Sequence, residues 1–284
     1  MFRLRAVIAL ILCVAFSARA ENADVPELDP EPVGWQDYVT IGAGLATALA
    51  TNIAPPRSMV PSPRFAFDEG ARNLIRLRTS DARFAARDIS DLTLGIMMVA
   101  PIVGDAWLNA LWYRKNPKAA WRMTIISLEA FAVTTAVQGL THVLFSRERP
   151  YVRTCGTDLP SDSDDCVWDQ KYRSFYSGHS SFSFTGAALM CWQHARYSLY
   201  GGGAAEVGTC ATGFVFAAAT AILRMMGDMH YATDVIVGSV MGTAIGFLVP
   251  VLHEQLFGER DLAPNAVHLS VVPTGTGVSV VGAF

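Results

Sequence analysis

The sequence predicts an all-α fold, an integral-membrane bundle of about five to six helices followed by a short C-terminal β-hairpin. The first observation behind it is composition: of 284 residues, 51% are apolar and 17% charged, against roughly 25% charged in an ordinary soluble domain, and mean hydropathy is +0.30. The second is length, because five apolar segments each approach the ~20 residues needed to cross hydrocarbon. These values exclude a disordered chain or a solvated repeat protein. A net charge of −3 leaves no excess of Lys and Arg for a polyphosphate backbone, so nucleic acid is not an expected partner.

The chain opens with Arg3 and Arg5, runs apolar from Ala6 to Phe16 and then shows Ala18, Arg19 and Ala20, the pattern of a secretory signal peptide cleaved after Ala20 or kept as a short anchor. Residues 21 to 35 are acidic and broken by Pro26, Pro30 and Pro32, hence a loop. Tyr38 to Ile53 is a weakly apolar run diluted by Thr and Gly, expected to lie on the membrane rather than cross it. Residues 54 to 90 mix a series of arginines with a few acids, the pattern of an amphipathic surface helix.

The five apolar segments run from about Leu92 to Tyr113, Ala119 to Phe145, Ser180 to Tyr197, Gly208 to Leu223 and Val235 to Leu252. The last carries Gly238, Gly242 and Gly246 at four-residue spacing, which admits a second helix at close range. Asp105 and Glu129 fall inside the first two segments at similar heights, where a charge is costly unless it shares a proton or a buried partner. From His268 to Phe284, alternating apolar residues flank a Gly-containing turn, the pattern of two short strands.

The turn between the first two segments holds Arg114, Lys115, Lys118 and Arg122 with no acid, which places it in the cytoplasm by the positive-inside rule. The loop from 146 to 179 is then outside. Within it Cys155 and Cys166, with ten residues between them in a polar stretch, read as a disulfide in an oxidising compartment. Cys191 and Cys210 stand in apolar stretches, where a buried free thiol is the default.

Polar clusters interrupt the apolar pattern at one end of the bundle: Arg147 to Pro150; Ser177, Gly178 and His179; and Arg224 with His230 and Asp234. Short links between antiparallel helices bring them to the same membrane face. Arg149 and Arg224 offer planar forks of donors for phosphoryl oxygens. Ser177 and Gly178 open a helix whose N–H groups and dipole favour an anion. Asp234 can accept one ring N–H of His230, leaving the other nitrogen free to attack, and His179 can protonate the departing oxygen.

With these residues in place the sequence resembles the type 2 phosphatidic acid phosphatase superfamily, which includes bacterial acid phosphatases and vanadium haloperoxidases. The pattern of that family is K-x6-R-P, P-S-G-H and S-R-x5-H-x3-D, matched here by Arg149-Pro150, Ser177-Gly178-His179 and Arg224-x5-His230-x3-Asp234. The resemblance implies a haloperoxidase-like helical core and a phosphohistidine on His230, oriented by Asp234, with His179 as acid and Arg149, Ser177, Gly178 and Arg224 holding phosphate. No metal or other cofactor is implied. The sequence departs from the pattern at Tyr176, Leu223 and His142. His142 stands at the lysine of the first motif, where an imidazole carries a full charge only if bound phosphate protonates it.

The expected organisation is a signal peptide over 1–20, an N-terminal peripheral segment over 21–90, a catalytic helical domain over 91–254 and a tail with short strands over 255–284. The expected activity is hydrolysis of a membrane lipid phosphate or diphosphate at the periplasmic face of a bacterial inner membrane, with the bilayer and the lipid phosphate as partners. Alternatives left open by the sequence are a soluble-ester acid phosphatase, a vanadate-dependent haloperoxidase and a non-catalytic lipid-phosphate-binding protein. Oligomeric state is not legible.

Overall fold

A computed structural model describes residues 33–54, 65–257, 268–274 and 277–283. The leader expected over 1–20 lies outside the described residues. Seven principal helices follow in order: α1 Trp35–Ile53, α2 Ala66–Ile75, α3 Ser80–Val99, α4 Pro117–Phe145, α5 Gly178–Tyr197, α6 Ala204–Met226 and α7 Ala232–Phe257. Helix α3 continues into a wider-wound π-helical stretch, Ala100–Tyr113. The tail contains β1 His268–Thr274 and β2 Gly277–Ala283, antiparallel, with His268 opposite Ala283.

Among the described residues, four helices are long and apolar enough to cross a membrane: Ser80–Tyr113, Pro117–Phe145, Ala204–Met226 and Ala232–Gln255. Their outer faces stay apolar and open, with Leu92 at 65%, Val215 at 66% and Val240 at 61% exposure, as lipid-facing positions require. Helix α5, expected as a span of the same kind, is not among the four. It is enclosed by its neighbours and buries Ser180, Ser181, Ser183, Thr185 and Gln193, so a helix that meets protein all round has no need of a uniformly apolar surface.

Close approach to α5 depends on small residues. A Cβ at Gly186 would stand 2.0 Å from the Met97 carbonyl oxygen of α3, and one at Gly242 of α7 would stand 2.1 Å from the Ser181 carbonyl oxygen. Thr134 of α4 and Thr185 join by a 3.0 Å hydroxyl contact. Helix α6 is tied on covalently by a disulfide between Cys191 and Cys210, whose Cα atoms are 4.5 Å apart. This corrects the free-thiol expectation: the α5–α6 hairpin brings together two cysteines that its connecting turn separates in sequence. The Cys155–Cys166 disulfide expected in the outer loop is present.

Helix α1 departs from the expected surface position. Asp37 near its start pairs with His253 and lies 3.6 Å from Arg122. Gly44 abuts Ala132, and Thr51 packs where a Cβ on Gly139 would fall. Helix α1 therefore runs parallel to α4 along the length of the bundle. Its Thr and Gly residues, which lower its hydropathy, are what allow the contact. The start of α1 shares an end with the basic turn at 114–116, so an α1 that crosses the membrane cannot combine an exported N-terminus with an outward-facing 146–177 loop.

Asp105 and Glu129 are both buried and share no partner among the described residues. Asp105 lies 3.3 Å from His194, which also pairs with Glu206. Glu129 lies 3.7 Å from His253, in the cluster with Asp37 and Arg122. Each acid thus meets its own histidine, as a charge inside an apolar bundle requires. At the basic end Arg114 donates to the carbonyls of Tyr197 and Ser198, tying the C-terminus of α5 to the turn.

Candidate active site

The opposite end of the bundle gathers the polar clusters. Ser177 caps α5, its hydroxyl accepting from the Ser180 N–H at 3.4 Å, and its own N–H donates to the Asp234 carbonyl at 3.0 Å. That bond ties the start of α5 to the first turn of α7. Gly178 and His179 form the first residues of α5, where N–H groups lack partners within the helix. Gly238 presses on the Ser177 carbonyl, holding the two helix starts together.

His230, on the link between α6 and α7, is 4% exposed. Its Nδ1 lies 2.8 Å from the carbonyl oxygen of Ser174 and 3.9 Å from Asp234 Oδ2. The carbonyl can only accept, so Nδ1 carries the proton and Nε2 keeps its lone pair. Asp234 was expected to take this ring N–H directly; in the structure it acts one step back. Its Oδ2 accepts from the Ser174 hydroxyl at 2.6 Å and the Tyr231 N–H at 3.0 Å, and its Oδ1 from Arg147 at 2.5 Å. The carboxylate is saturated by these donors while the main chain it anchors orients the ring.

His179 Nε2 sits 2.7 Å from Asp91 Oδ1, and Arg224 donates to the same oxygen at 3.2 Å and to Ser90 Oγ at 3.1 Å. Arg149 donates its main-chain N–H to the Lys171 carbonyl at 2.7 Å, while its side chain makes a long 3.9 Å contact with the Met229 sulfur. The Nε atoms of Arg149 and Arg224 are buried with no hydrogen-bond partner among the described residues. A buried donor without an acceptor is costly, and Arg147 and Arg153 carry the same buried, unpartnered Nε among the described residues.

A cavity of about 180 Å³ is lined by His230, His179, Gly178, Arg149, His142 and Arg173, together with residues of α1 and α4. His142 is 7% exposed and its Nε2 lies 3.1 Å from the Tyr176 carbonyl. Arg173 donates to the carbonyl oxygens of Asn52 and Ala54, each at 3.2 Å. The cavity thus holds full cations besides the imidazole at 142.

Electrostatics of the loops favour a neutral nucleophile and an anionic ligand. Burial, followed by the charges of Arg149, Arg224 and His179, holds the His230 imidazolium well below the usual histidine range. Burial also lowers Arg149 from the ordinary arginine value, the expected response of a guanidinium with no countercharge beside it. Tyr176 is pushed up to about 12 by burial, so it stays a neutral phenol.

The cavity brings together His230, His179, Gly178, Arg149 and His142 of the residues singled out from sequence. Behind them Ser177 caps α5, Arg224 donates to Ser90 and Asp91, and Asp234 anchors Ser174 and Tyr231. Sequence reading missed Asp91 and Ser174, and it placed Arg147 in the first polar cluster without a partner for it. Asp91 immediately precedes the apolar segment that begins at Leu92, and an acid at that border was the one available signal. Ser174 acts through its carbonyl and a hydroxyl, groups with no motif of their own.

Three similarities to known proteins are found. A PA-phosphatase related-family protein of Dictyostelium discoideum is 29% identical over 143 residues, 48% of this chain and 51% of that protein, so the chain spans about half the length of the curated relative it matches. The crystal structure of a transmembrane PAP2-type phosphatidylglycerolphosphate phosphatase from Bacillus subtilis aligns with a TM-score of 0.46 at 18% identity, over 80% of this chain and 100% of that one. The stretch from 124 to 257, which carries His142, Arg149, Ser177, Gly178, His179, Arg224, His230 and Asp234, matches the sequence model of the PAP2 superfamily.

Proposed function

We propose that this chain is a membrane phosphatase that removes phosphate from a lipid phosphate or diphosphate through a phosphohistidine on His230. The observation that carries the reading is the placement of His230. Its Nδ1 proton is spent on the Ser174 carbonyl, and the ring lines a cavity shared with Arg149, His179 and the N-terminus of α5. The Nε2 lone pair forms a bond to phosphorus, the phosphorus–oxygen bond to the lipid breaks, and the departing oxygen takes a proton from His179. Water then attacks phosphorus, its proton passes to His179, and the nitrogen–phosphorus bond breaks to release inorganic phosphate. Arg149, Arg224 and the N–H groups of Gly178 and His179 bear the charge on the non-bridging oxygens, a part that metal ions play in other phosphoryl transfers.

Lipid rather than soluble ester is favoured because the cavity opens at one end of helices with apolar, exposed flanks. The catalytic end is assigned to the periplasmic side of a bacterial inner membrane. Two observations support this: the basic turn at 114–118 lies at the other end, and the Cys155–Cys166 disulfide lies in the loop at this one. Phosphate release by detergent-purified protein, measured with EDTA over a panel of lipid monophosphates, a lipid diphosphate and one soluble ester, tests the reading. Release that survives chelation and prefers a lipid is expected; preference for the soluble ester would transfer the assignment to an acid phosphatase.

The pH profile has a defined sign. The His230 pKa is depressed, so the free-base nucleophile is fully present at neutral pH and is lost only as pH falls below the ordinary histidine value of about 6.5. Removing one of the cations responsible, by Arg149→Gln, moves this acid limb of kcat/KM to higher pH on the same substrate. An acid limb at the same pH in wild type and variant would show that Arg149 does not tune the nucleophile.

A further inference from the structure

Asp68 belongs to α2, outside the stretch from 124 to 257 that matches the superfamily model, and it is fully buried. Its Oδ2 accepts from Arg147 at 2.7 Å and from the Thr233 hydroxyl at 2.8 Å, and its Oδ1 from the Thr233 main-chain N–H at 2.8 Å. The other terminal nitrogen of Arg147 donates to Asp234 at 2.5 Å. One guanidinium therefore bridges two carboxylates, and the ring of Tyr231 covers it, 4.3 Å from its central carbon. The series runs from Asp68 through Arg147 and Asp234 to Ser174 and His230.

Charge makes this series more than a brace. Attack by Nε2 turns a neutral imidazole into a phosphorylated ring that carries positive charge, which Asp234 stabilises from 3.9 Å. Arg147 fixes that carboxylate in place, but its own charge cancels the carboxylate field. The second carboxylate, Asp68, offsets the cation, so the three groups together remain negative by one charge on the side of the ring. We propose that Asp68 is a positioning residue for the phosphoryl transfer: it lets an arginine clamp Asp234 without neutralising the negative charge that supports the developing imidazolium. This rests on the phosphohistidine reading above.

The alternative is that Asp68 merely caps the start of α7 through Thr233, and paired variants separate the two. Asp68→Asn keeps the shape and leaves Arg147 and Asp234 as a neutral pair; kcat is expected to fall about tenfold or more and inhibition by vanadate, which bonds the same ring nitrogen, to weaken in step, with KM within about twofold of wild type. Adding Arg147→Gln removes the cation and restores the single negative charge, so the double variant is expected to recover most of the lost kcat although the cap remains weakened. A double variant at or below the single one, or a single variant whose loss lies in KM, would overturn the proposal. If Asp68→Asn alone does not fold, the folded double variant still decides, since near-wild-type kcat supports the proposal and an inactive enzyme defeats it. Wild-type protein and His230→Ala are assayed first: absence of histidine-dependent release there condemns the phosphatase reading, an outcome distinct from any result at Asp68.

Discussion

Replacing His230 with alanine is expected to cut phosphate release by at least about 10³-fold, because the group removed is the one that bonds to phosphorus. The two other imidazoles that line the cavity do not stand in for it: His179 is engaged by Asp91 and His142 lies 3.1 Å from the Tyr176 carbonyl. The same experiment distinguishes direct from indirect orientation. Since the ring N–H goes to the Ser174 carbonyl and Asp234 holds Ser174, Asp234→Asn should reduce kcat by a smaller factor, of order 10–10². The measurement is single-turnover phosphate release with trapping of an acid-labile, base-stable phosphoprotein. A label that persists in His230→Ala would place the covalent intermediate elsewhere, and equal losses in the two variants would mean that Asp234 acts on the ring directly.

The second large effect lies in the packing beneath the site. Substituting Gly242 with alanine sets a Cβ 2.1 Å from the Ser181 carbonyl oxygen, and main chain on a central helix has nowhere to retreat. Overpacking of this kind costs about 1–3 kcal/mol, and α5 and α7 must separate to relieve it. Those helices carry His179 and Asp234, and misplacement by about 1 Å of groups that must act together costs on the order of 10²-fold in rate. Gly242→Ala is therefore expected to lower the thermal midpoint in detergent and to reduce activity more than stability alone accounts for. Gly208→Ala is the matched control, since nothing lies within 4 Å of a Cβ there and the helix gains roughly 0.4–1 kcal/mol from reduced freedom of the unfolded chain. Equal behaviour of the two variants would rule out the close crossing.

Much of the bundle was legible because its causes are local. Apolar runs mark helices in a chain that must bury or solvate them in lipid, and four of the five segments became helices with the length and apolarity to span. The polar motifs stood out because Arg, His and Asp interrupt such runs only at a cost. The spacing of Gly238, Gly242 and Gly246 announced a close helix crossing, and Gly238 meets Ser177 and Gly242 meets Ser181 where α7 crosses the start of α5. The loop disulfide was legible from its polar setting.

What the sequence determined by itself was which residues carry chemistry and in what order along the chain, since residue type and short-range spacing are properties of neighbours. Tertiary structure decided what those residues touch. Helix α1 looked like a surface segment, yet its small residues pack it against Ala132 and Gly139 of α4. Cys191 and Cys210 looked like separate thiols until a helical hairpin paired them. Asp105 and Glu129 looked like partners and were claimed by different histidines. The ring of His230 went to a main-chain carbonyl instead of Asp234, and Asp234 is clamped by Arg147, which Asp68 of the N-terminal segment holds from the other side. A hydrogen bond between distant segments leaves no periodicity in the sequence; its partners are chosen by the packing that brings them together and by the cost of leaving a buried polar group unmatched.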